Sequence, residues 1–353
     1  MAKVLMKGNE AVAEAAIRSG CRHYFGYPIT PQTEIAEYMA KRMPKVGGLC
    51  LQAESEISAI NMVMGAAASG VRVMTSSSSP GISLKGEGIS YIVGCDLPCL
   101  ILNVQRGGPG LGGIQPAQSD YNQMTKGLGH GDMHMLVIAP STIQEMASLT
   151  GKAFDLADKY RMPAMLLADG ALGQMMEPVD LDGITSDSLP EKPWAACGHE
   201  DKRKKNIINS LYLDPGDLEK TNIERFERYH VIEENEVMYE EYMTEDADIC
   251  LVAYGITSRI CKTAVAQARK MGIKVGLFRP ITLWPYPKKQ LAALADKVSS
   301  FLVVELNMGQ MVDDVKVATS CKKPVEFFGR TGGIMPTPED VVNEIVKLSG
   351  GAK

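Results

Sequence analysis

Apolar positions recur along this chain with two periods that take turns. Residues 9–18 carry them at helical spacing and stop at Gly20, residues 23–27 are β-prone, and 31–41 return to a helical pattern that buries Ile35, Tyr38 and Met39. A strand over 48–52 leads into a helix over 56–68 closed by Gly70, and a strand over 71–75 is followed by a serine-rich turn and a helix over 84–93. Residues 99–104 are apolar enough to be a central parallel strand buried on both faces. A strand over 135–139, a helix opened by a capping box of Ser141 and Gln144 and running to Tyr160, and a strand over 163–168 complete the series. Strands alternating with helices in this way predict a doubly wound α/β domain, with ligands beyond the carboxyl ends of its strands.

The pattern changes after residue 178. Residues 179–246 are more polar and contain Pro190, Pro193 and Pro215, then a charged helical stretch over 217–243 with Ile223, Phe226 and Tyr229 on one side. This segment reads as a connector packing across domains. From 247 to 353 the alternation resumes: strands over 249–253, 273–278 and 301–306, helices over 258–271 and 289–295, and a last helix started by Thr337-Pro338-Glu339-Asp340. The expected organisation is two doubly wound parallel-sheet domains, 1–178 and 247–353, joined by 179–246.

Composition changes that picture little but excludes several functions. With 353 residues, 45% of them hydrophobic and 22% charged, the chain has material for two cores. A net charge of −5 argues against a nucleic-acid or anionic-membrane partner, since either requires a basic face. The basic run at 202–205 reads as solvated surface. There is no bilayer-length apolar run and no signal peptide, so a cytoplasmic location is expected. Among the eight cysteines, Cys95 and Cys99 flank three residues, but nothing has the close spacing that holds zinc or an iron–sulfur cluster. Buried reduced thiols are expected, and the dispersed histidines predict no metal site.

Four strand-end loops carry the candidate chemistry. In the first, Tyr27-Pro28-Ile29-Thr30-Pro31, Thr30 caps a helix beginning at Pro31, which aims free N–H groups at an anion; the alternative is an ordinary well-capped turn. The second, Gln52 to Glu56, delivers carboxylates to a helix start, where they equally serve the helix dipole. The third, Thr75 to Gly81, offers hydroxyls to a polar ligand or is a plain loop. In the fourth, Arg106 follows a buried strand and precedes a glycine-rich segment, which suits a carboxylate or phosphate, or leaves a solvated arginine.

Together, Tyr27-Pro28-Ile29-Thr30-Pro31, the Glu54-Ser55-Glu56 junction, and Arg106-Gly107-Gly108-Pro109 followed by Gln115 and Asp120 resemble the alpha subunit, the pyrimidine-binding chain, of the 2-oxoacid:ferredoxin oxidoreductases. The likeness extends over nearly the whole chain and is greatest to the branched-chain, 2-oxoisovalerate type. The Tyr254-Gly255 turn, the 279–287 segment and Glu305-Leu306-Asn307 resemble the carboxy-terminal domain of transketolase-type enzymes.

The resemblance implies a thiamine diphosphate pyrimidine-binding domain followed by that carboxy-terminal domain. It also implies CoA-dependent oxidative decarboxylation of a 2-oxoacid with reduction of ferredoxin. Glu56 aligns with the glutamate that hydrogen-bonds the far nitrogen of the aminopyrimidine, with Glu54 as the fallback. Tyr27, Pro28 and Ile29 fall in the cofactor-binding turn, and Thr30 and Arg106 fall where the substrate carboxylate is held. The Gly-Asp-Gly motif followed by asparagine, which holds magnesium and diphosphate, is missing; Ala168-Asp169-Gly170 and Gly131-Asp132 are fragments of it. A beta subunit is therefore expected to bring the magnesium and diphosphate site. A gamma subunit and a ferredoxin-like iron–sulfur delta subunit complete the complex, with coenzyme A as acyl acceptor.

Three other readings stay open: a 2-oxoglutarate-specific member of the family, a non-redox two-chain thiamine enzyme of transketolase or decarboxylase type, and a non-enzymatic anion-binding α/β protein. No second basic residue accompanies Arg106 in its loop, which favours an apolar substrate side chain over a second carboxylate.

Overall fold

The helix and strand periods resolve into three sheets in the computed structural model, which describes residues 3–185 and 189–350. The chain opens with β1 (Val4–Lys7), α1 (Gly8–Arg18), β2 (His23–Gly26), α2 (Thr33–Arg42), β3 (Leu49–Gln52), α3 (Glu56–Ala68), β4 (Val73–Ser77), α4 (Pro80–Gly94) and β5 (Leu100–Gln105). After a long irregular segment come β6 (Leu136–Ile138), α5 (Ile143–Tyr160), β7 (Ala164–Asp169), α6 (Gly170–Gln174) and β8 (Met176–Val179). The remainder is α7 (Pro215–Asn235), β9 (Tyr239–Tyr242), β10 (Ile249–Val252), α8 (Gly255–Lys270), β11 (Val275–Pro280), β12 (Thr282–Trp284), α9 (Lys288–Ala295), β13 (Ser300–Glu305), α10 (Met311–Ala318), β14 (Val325–Gly329) and α11 (Pro338–Leu348).

The first sheet has seven strands in the order β12-β6-β7-β5-β4-β2-β3, parallel except for β12. The second has five, β14-β13-β10-β11-β9, parallel except for β9, and β1 pairs with β8 in a small ribbon. Strands β5 and β7 are buried along their whole length, as apolar strands covered on both faces must be. The architecture is the doubly wound α/β fold that the alternation predicts.

Local corrections have identifiable causes. Helix α2 begins at Thr33 rather than Pro31, with Gln32 at the cap position and its side chain turned to the Tyr27 carbonyl. Strand β4 runs over Val73–Ser77, and α4 starts at Pro80, so the serine-rich stretch is strand end and helix entry. The cap of α5 is Thr142, whose side chain accepts the Glu145 N–H; Ser141 donates to Glu145, and Gln144 bonds Asp180 instead. In α7 the buried residues are Arg225, Tyr229 and Ile232, while Ile223 is exposed. Cys21, Cys99, Cys250 and Cys261 are buried free thiols, whereas Cys197 and Cys321 are exposed.

The two large sheets are tied together by strand exchange and buried polar groups. Strand β12 leaves the second half to pair with β6, and its Trp284 stacks on His134 at 4.8 Å and packs edge-on against Tyr229 of α7. Arg279 of β11, almost fully buried, is chelated by Glu145 of α5 and also pairs with Glu240 of β9. Gln118 is wholly buried. Its Nε2 donates to Tyr254 O (2.9 Å), and its Oε1 accepts from Leu306 N (3.1 Å) and Thr257 Oγ1 (3.2 Å). Its backbone adds bonds to Leu306 and Asn307.

Truncating Gln118 strands the buried Leu306 N–H, while Tyr254 O and Thr257 Oγ1 keep the 2.7 Å bond they make to each other. Gln118→Ala is expected to cost about 1–3 kcal/mol, the scale of one unpaired buried polar group. A thermal-unfolding midpoint several degrees below wild type would bear this out, and an unchanged midpoint would contradict it.

Candidate active site

The order of the first sheet reverses at β2, which has β3 on one side and β4 on the other. Strands β2 and β4 are paired only at His23–Val73 and Tyr24–Met74 and then diverge, which opens a crevice at their carboxyl ends. Polar side chains fill its floor: the Tyr24 hydroxyl meets Ser76 Oγ at 2.8 Å, and Ser76 Oγ donates to Gln32 Oε1 at 2.5 Å. Gln32, fully buried, donates in turn to the Tyr27 carbonyl at 3.3 Å. A Cβ on Gly26 would come within 2.4 Å of the Tyr24 hydroxyl, so this network requires glycine there.

Glu56 stands at the rim of the crevice. It is the first residue of α3, after Ser55, whose side chain accepts the Ser58 N–H at 3.1 Å. The cap turns Glu56 inward to 7% exposure and leaves Glu54 exposed, which separates the two acidic candidates. The carboxylate packs against the first turn of α4, where a Cβ on Gly81 would lie 2.8 Å from Glu56 Oε1 and 2.2 Å from Ser77 Oγ. Among the described residues no hydrogen bond reaches the Glu56 carboxylate, and the buried hydroxyls of Ser77 and Ser78 also lack partners. A carboxyl group with free hydroxyls beside it and a glycine-made recess fits the donor and acceptor edge of an aminopyrimidine ring.

Arg106 lies on the other side of the same turn. It is 7% exposed and donates from Nη1 to Thr30 O (3.0 Å) and from Nη2 to Leu111 O (3.2 Å), leaving a buried Nε without a partner. Its backbone N–H donates to Ser79 Oγ (3.0 Å), which itself donates to Asp120 Oδ2 at 2.6 Å. Asn103 completes the group with bonds to Asp120 and to the Ser79 N–H. Burial pushes the Asp120 carboxyl above the usual range, against the two bonds that lower it.

The structure therefore brings Thr30 and Arg106 together through the Thr30 carbonyl, and the Thr30 side chain is exposed beside a cavity of about 600 Å³ that Pro31, Glu34, Ile114 and Gln115 help to line. Tyr27 and Pro28 are exposed, and Ile29 is half-buried. The first turn of α2 already carries Glu34, which accepts from Lys7, Asn9 and Gln174, so the chain's own carboxylate meets that helix end. A second cavity, about 540 Å³, lies between Ser79, Gly107, Pro109 and Asp120 on one side and Asn307 and Gln310 on the other. Gln32 and Asn103 were not among the sequence candidates, whereas Ser79 belongs to the hydroxyl-rich third loop; the signal for Asn103 was a polar residue inside an otherwise apolar strand.

The family model for the thiamine diphosphate-binding part of pyruvate flavodoxin/ferredoxin oxidoreductases matches residues 14–244, and that for core domain II of pyruvate:ferredoxin oxidoreductase matches 247–341. Ketoisovalerate oxidoreductase subunit VorB of Methanothermobacter marburgensis is 51% identical over 350 residues, 99% of each chain. The chain belongs to the 2-oxoacid:ferredoxin oxidoreductase family. Within it, 2-oxoglutarate synthase subunit KorA of Methanothermobacter thermautotrophicus is 36% identical over 98% of each chain. A solved relative is the 2-oxoglutarate:ferredoxin oxidoreductase of Magnetococcus marinus, with 2-oxoglutarate, coenzyme A and succinyl-CoA bound: TM-score 0.86, 30% identity, 98% of this chain. This chain spans 65% of the length of that one. A split-gene transketolase, an inactive beta4 tetramer, shares the fold at TM-score 0.60 and 14% identity, covering 96% of this chain and 95% of its own. These oxidoreductases are thiamine-dependent, and the transketolase likeness extends the fold kinship over both halves.

Asp169, at the end of β7, is a helix cap: its side chain accepts from Ala171 N and Leu172 N. Burial pushes its carboxyl up to about 6, against the backbone N–H groups that lower it. A carboxyl raised in the fold keeps a proton that the unfolded chain has released. Its contribution to stability therefore falls as pH rises from the ordinary aspartate range through about 6. Asparagine caps equally well and does not ionise. The difference in thermal midpoint between Asp169→Asn and wild type is expected to move in favour of the variant between acidic and neutral pH, and a pH-independent difference would contradict this.

Proposed function

We propose that this chain is the pyrimidine-binding subunit of a 2-oxoacid:ferredoxin oxidoreductase that converts a branched-chain 2-oxoacid such as 2-oxoisovalerate to its acyl-CoA. The observation that carries the reading is the buried Glu56 carboxyl, held in the recess made by Gly81 with no hydrogen-bond partner among the described residues. Glu56 hydrogen-bonds the far nitrogen of the aminopyrimidine ring and exchanges a proton there. Bound thiamine diphosphate supplies the nucleophile that adds to the 2-oxo carbon and the electron sink for loss of carbon dioxide. Tyr27, Pro28 and Ile29 flank the ring, and the hydroxyls of Ser77 and Ser78 offer it further partners. Arg106, with its free Nε and remaining N–H groups, and the Thr30 hydroxyl hold the substrate carboxylate and fix its orientation.

The diphosphate and magnesium belong to a beta subunit. Support comes from the missing Gly-Asp-Gly motif and from exposed Leu49 and Leu51 on β3, Ile57 on α3 and Leu84 on α4, apolar surface suited to a partner chain. A gamma subunit and an iron–sulfur delta subunit pass electrons to ferredoxin, and coenzyme A takes the acyl group. No described helix is long and apolar enough to cross a membrane, in keeping with a cytoplasmic complex. For the substrate, identity to the ketoisovalerate subunits exceeds identity to the 2-oxoglutarate subunits, 51% against 36%, and the loop after Arg106 has no second cation up to Gly113.

The test is to assemble the chain with its partner subunits and follow thiamine diphosphate- and CoA-dependent viologen reduction across a panel of 2-oxoacids. Branched-chain substrates should give the highest kcat/KM. Glu56→Gln should lower kcat by about 100-fold or more, the scale of a lost acid–base group. Arg106→Ala should lower kcat/KM more than Thr30→Val, because a charge-assisted hydrogen bond is roughly twice as strong as a neutral one. Full activity in Glu56→Gln would remove the assignment, and a preference for 2-oxoglutarate would remove the substrate class.

A further inference from the structure

The connector turns apolar side chains toward solvent. Over residues 206–213, Asn206, Ile208 and Tyr212 are half-buried, whereas Ile207, Leu211 and Leu213 are exposed, the first and last at 86% and 87%. The segment is held in this posture. Asn206 Nδ2 donates to Pro193 O at 2.5 Å and to Ala195 O at 3.1 Å, Ile208 packs against the core, and Leu211 N donates to Asn209 Oδ1 at 2.9 Å. Outward apolar side chains on a fixed backbone mark a surface that another molecule covers.

The same connector also forms an apolar groove. A cavity of about 520 Å³ lies along the first half of α7, lined by Pro215, Leu218, Ile223 and Phe226 and by the carboxylates of Asp132 and Glu219. Phe226 is fixed by edge-on packing against Tyr229, while Leu218 and Ile223 are exposed. Among the described residues neither carboxylate has an ion-pair partner, and no cation lines the groove. The basic run before the outward segment has the opposite imbalance. Lys202 pairs with Glu200, and Arg203 is spent on the carbonyls of Ala195, Gly198 and Lys204, but Lys204 and Lys205 have no ion-pair partner among the described residues.

We propose that the 204–213 segment of a second copy of this chain docks on the α7 groove, with a two-fold axis repeating the contact. Lys204 and Lys205 meet Asp132 and Glu219, and Ile207, Leu211 and Leu213 cover Leu218 and Ile223. Charge complementarity selects this occupant: the groove offers two carboxylates and no cation, and the segment offers two ammonium groups and no acidic residue. A two-fold pairing satisfies both surfaces at once, because each copy gives a segment and receives one. The inference does not depend on the role of Glu56.

Two experiments with the full-length chain test it. In the first, copies labelled with light and heavy nitrogen are mixed in the assembled complex and treated with a carbodiimide, which condenses an amine with a carboxyl group in contact with it. Bonds from Lys204 or Lys205 to Asp132 or Glu219 should join light copies to heavy ones. If these lysines link only within one copy, to another subunit, or to nothing, the proposal fails. In the second, self-association of the chain is followed by sedimentation equilibrium. Reversing the segment (Lys204→Glu with Lys205→Glu) or the groove (Asp132→Lys with Glu219→Lys) sets like charges against each other and should raise the dissociation constant about tenfold or more. Mixing the two variants restores opposite charges at both contacts and should return the constant to the wild-type value. Leu213→Asp should weaken association as well. All these positions are exposed, so the substitutions leave the core intact. A wild-type chain that stays monomeric, association of equal strength in every variant, or a mixture no tighter than either variant by itself would overturn the proposal.

Discussion

A buried amide must find a partner for each of its polar atoms, and the way Gln118 does so joins the two halves of this chain. Its side chain is consumed by Tyr254, Thr257 and Leu306, all from the second half, so the segment that follows has one course to take. Two residues later that course delivers Asp120 to Ser79 and Asn103, and Ser79 in turn receives the Arg106 backbone N–H. The second sheet adds no strand end to the crevice. Its effect is to hold the 118–122 segment, with Gln310 and Asp314 binding Asn122 and Tyr121. Through Asp120 and Ser79, that held segment supports the backbone of Arg106.

Against that saturated background the open valences stand out. Buried polar groups in folded proteins are nearly always paired, and the crevice follows the rule at Tyr24, Ser76, Gln32, Asn103 and Asp120. Around the crevice the exceptions are the hydroxyls of Ser77 and Ser78, Nε of Arg106, and the carboxylate of Glu56, while others, such as Asn122 Oδ1 and the Tyr286 hydroxyl, lie elsewhere in the chain. Such groups cost stability unless something from outside the chain completes them. Their position at the reversal of strand order, where open α/β sheets bind ligands, gives that cost a function.

Much of this was legible in the sequence. Apolar periodicity located most of the strands and helices of the first sheet, and the Glu-Ser-Glu junction and the Arg-Gly-Gly-Pro loop placed Glu56 and Arg106 at strand ends. What the sequence concealed was tertiary. Nothing local to Pro31 shows that Gln32 will be buried against Ser76 and the Tyr27 carbonyl, so the pattern sets the helix start two residues early. Thr142 and Ser141 are equally good caps by type, and the choice depends on Glu145 being shared with Arg279. Strand β12 is three residues long and pairs across the two halves, which no local pattern encodes.

The proposed role of Glu56 is that the cofactor ring completes a carboxyl with no hydrogen-bond partner among the described residues. The most direct measurement is a structure of the assembled complex with thiamine diphosphate bound. The account predicts a Glu56 carboxyl oxygen within hydrogen-bond reach, about 2.6–3.2 Å, of the far pyrimidine nitrogen, with the ring lying beside Gly81. A ring bound elsewhere, or partnered by Glu54 or a carboxylate of another subunit while Glu56 stays unengaged, would contradict it.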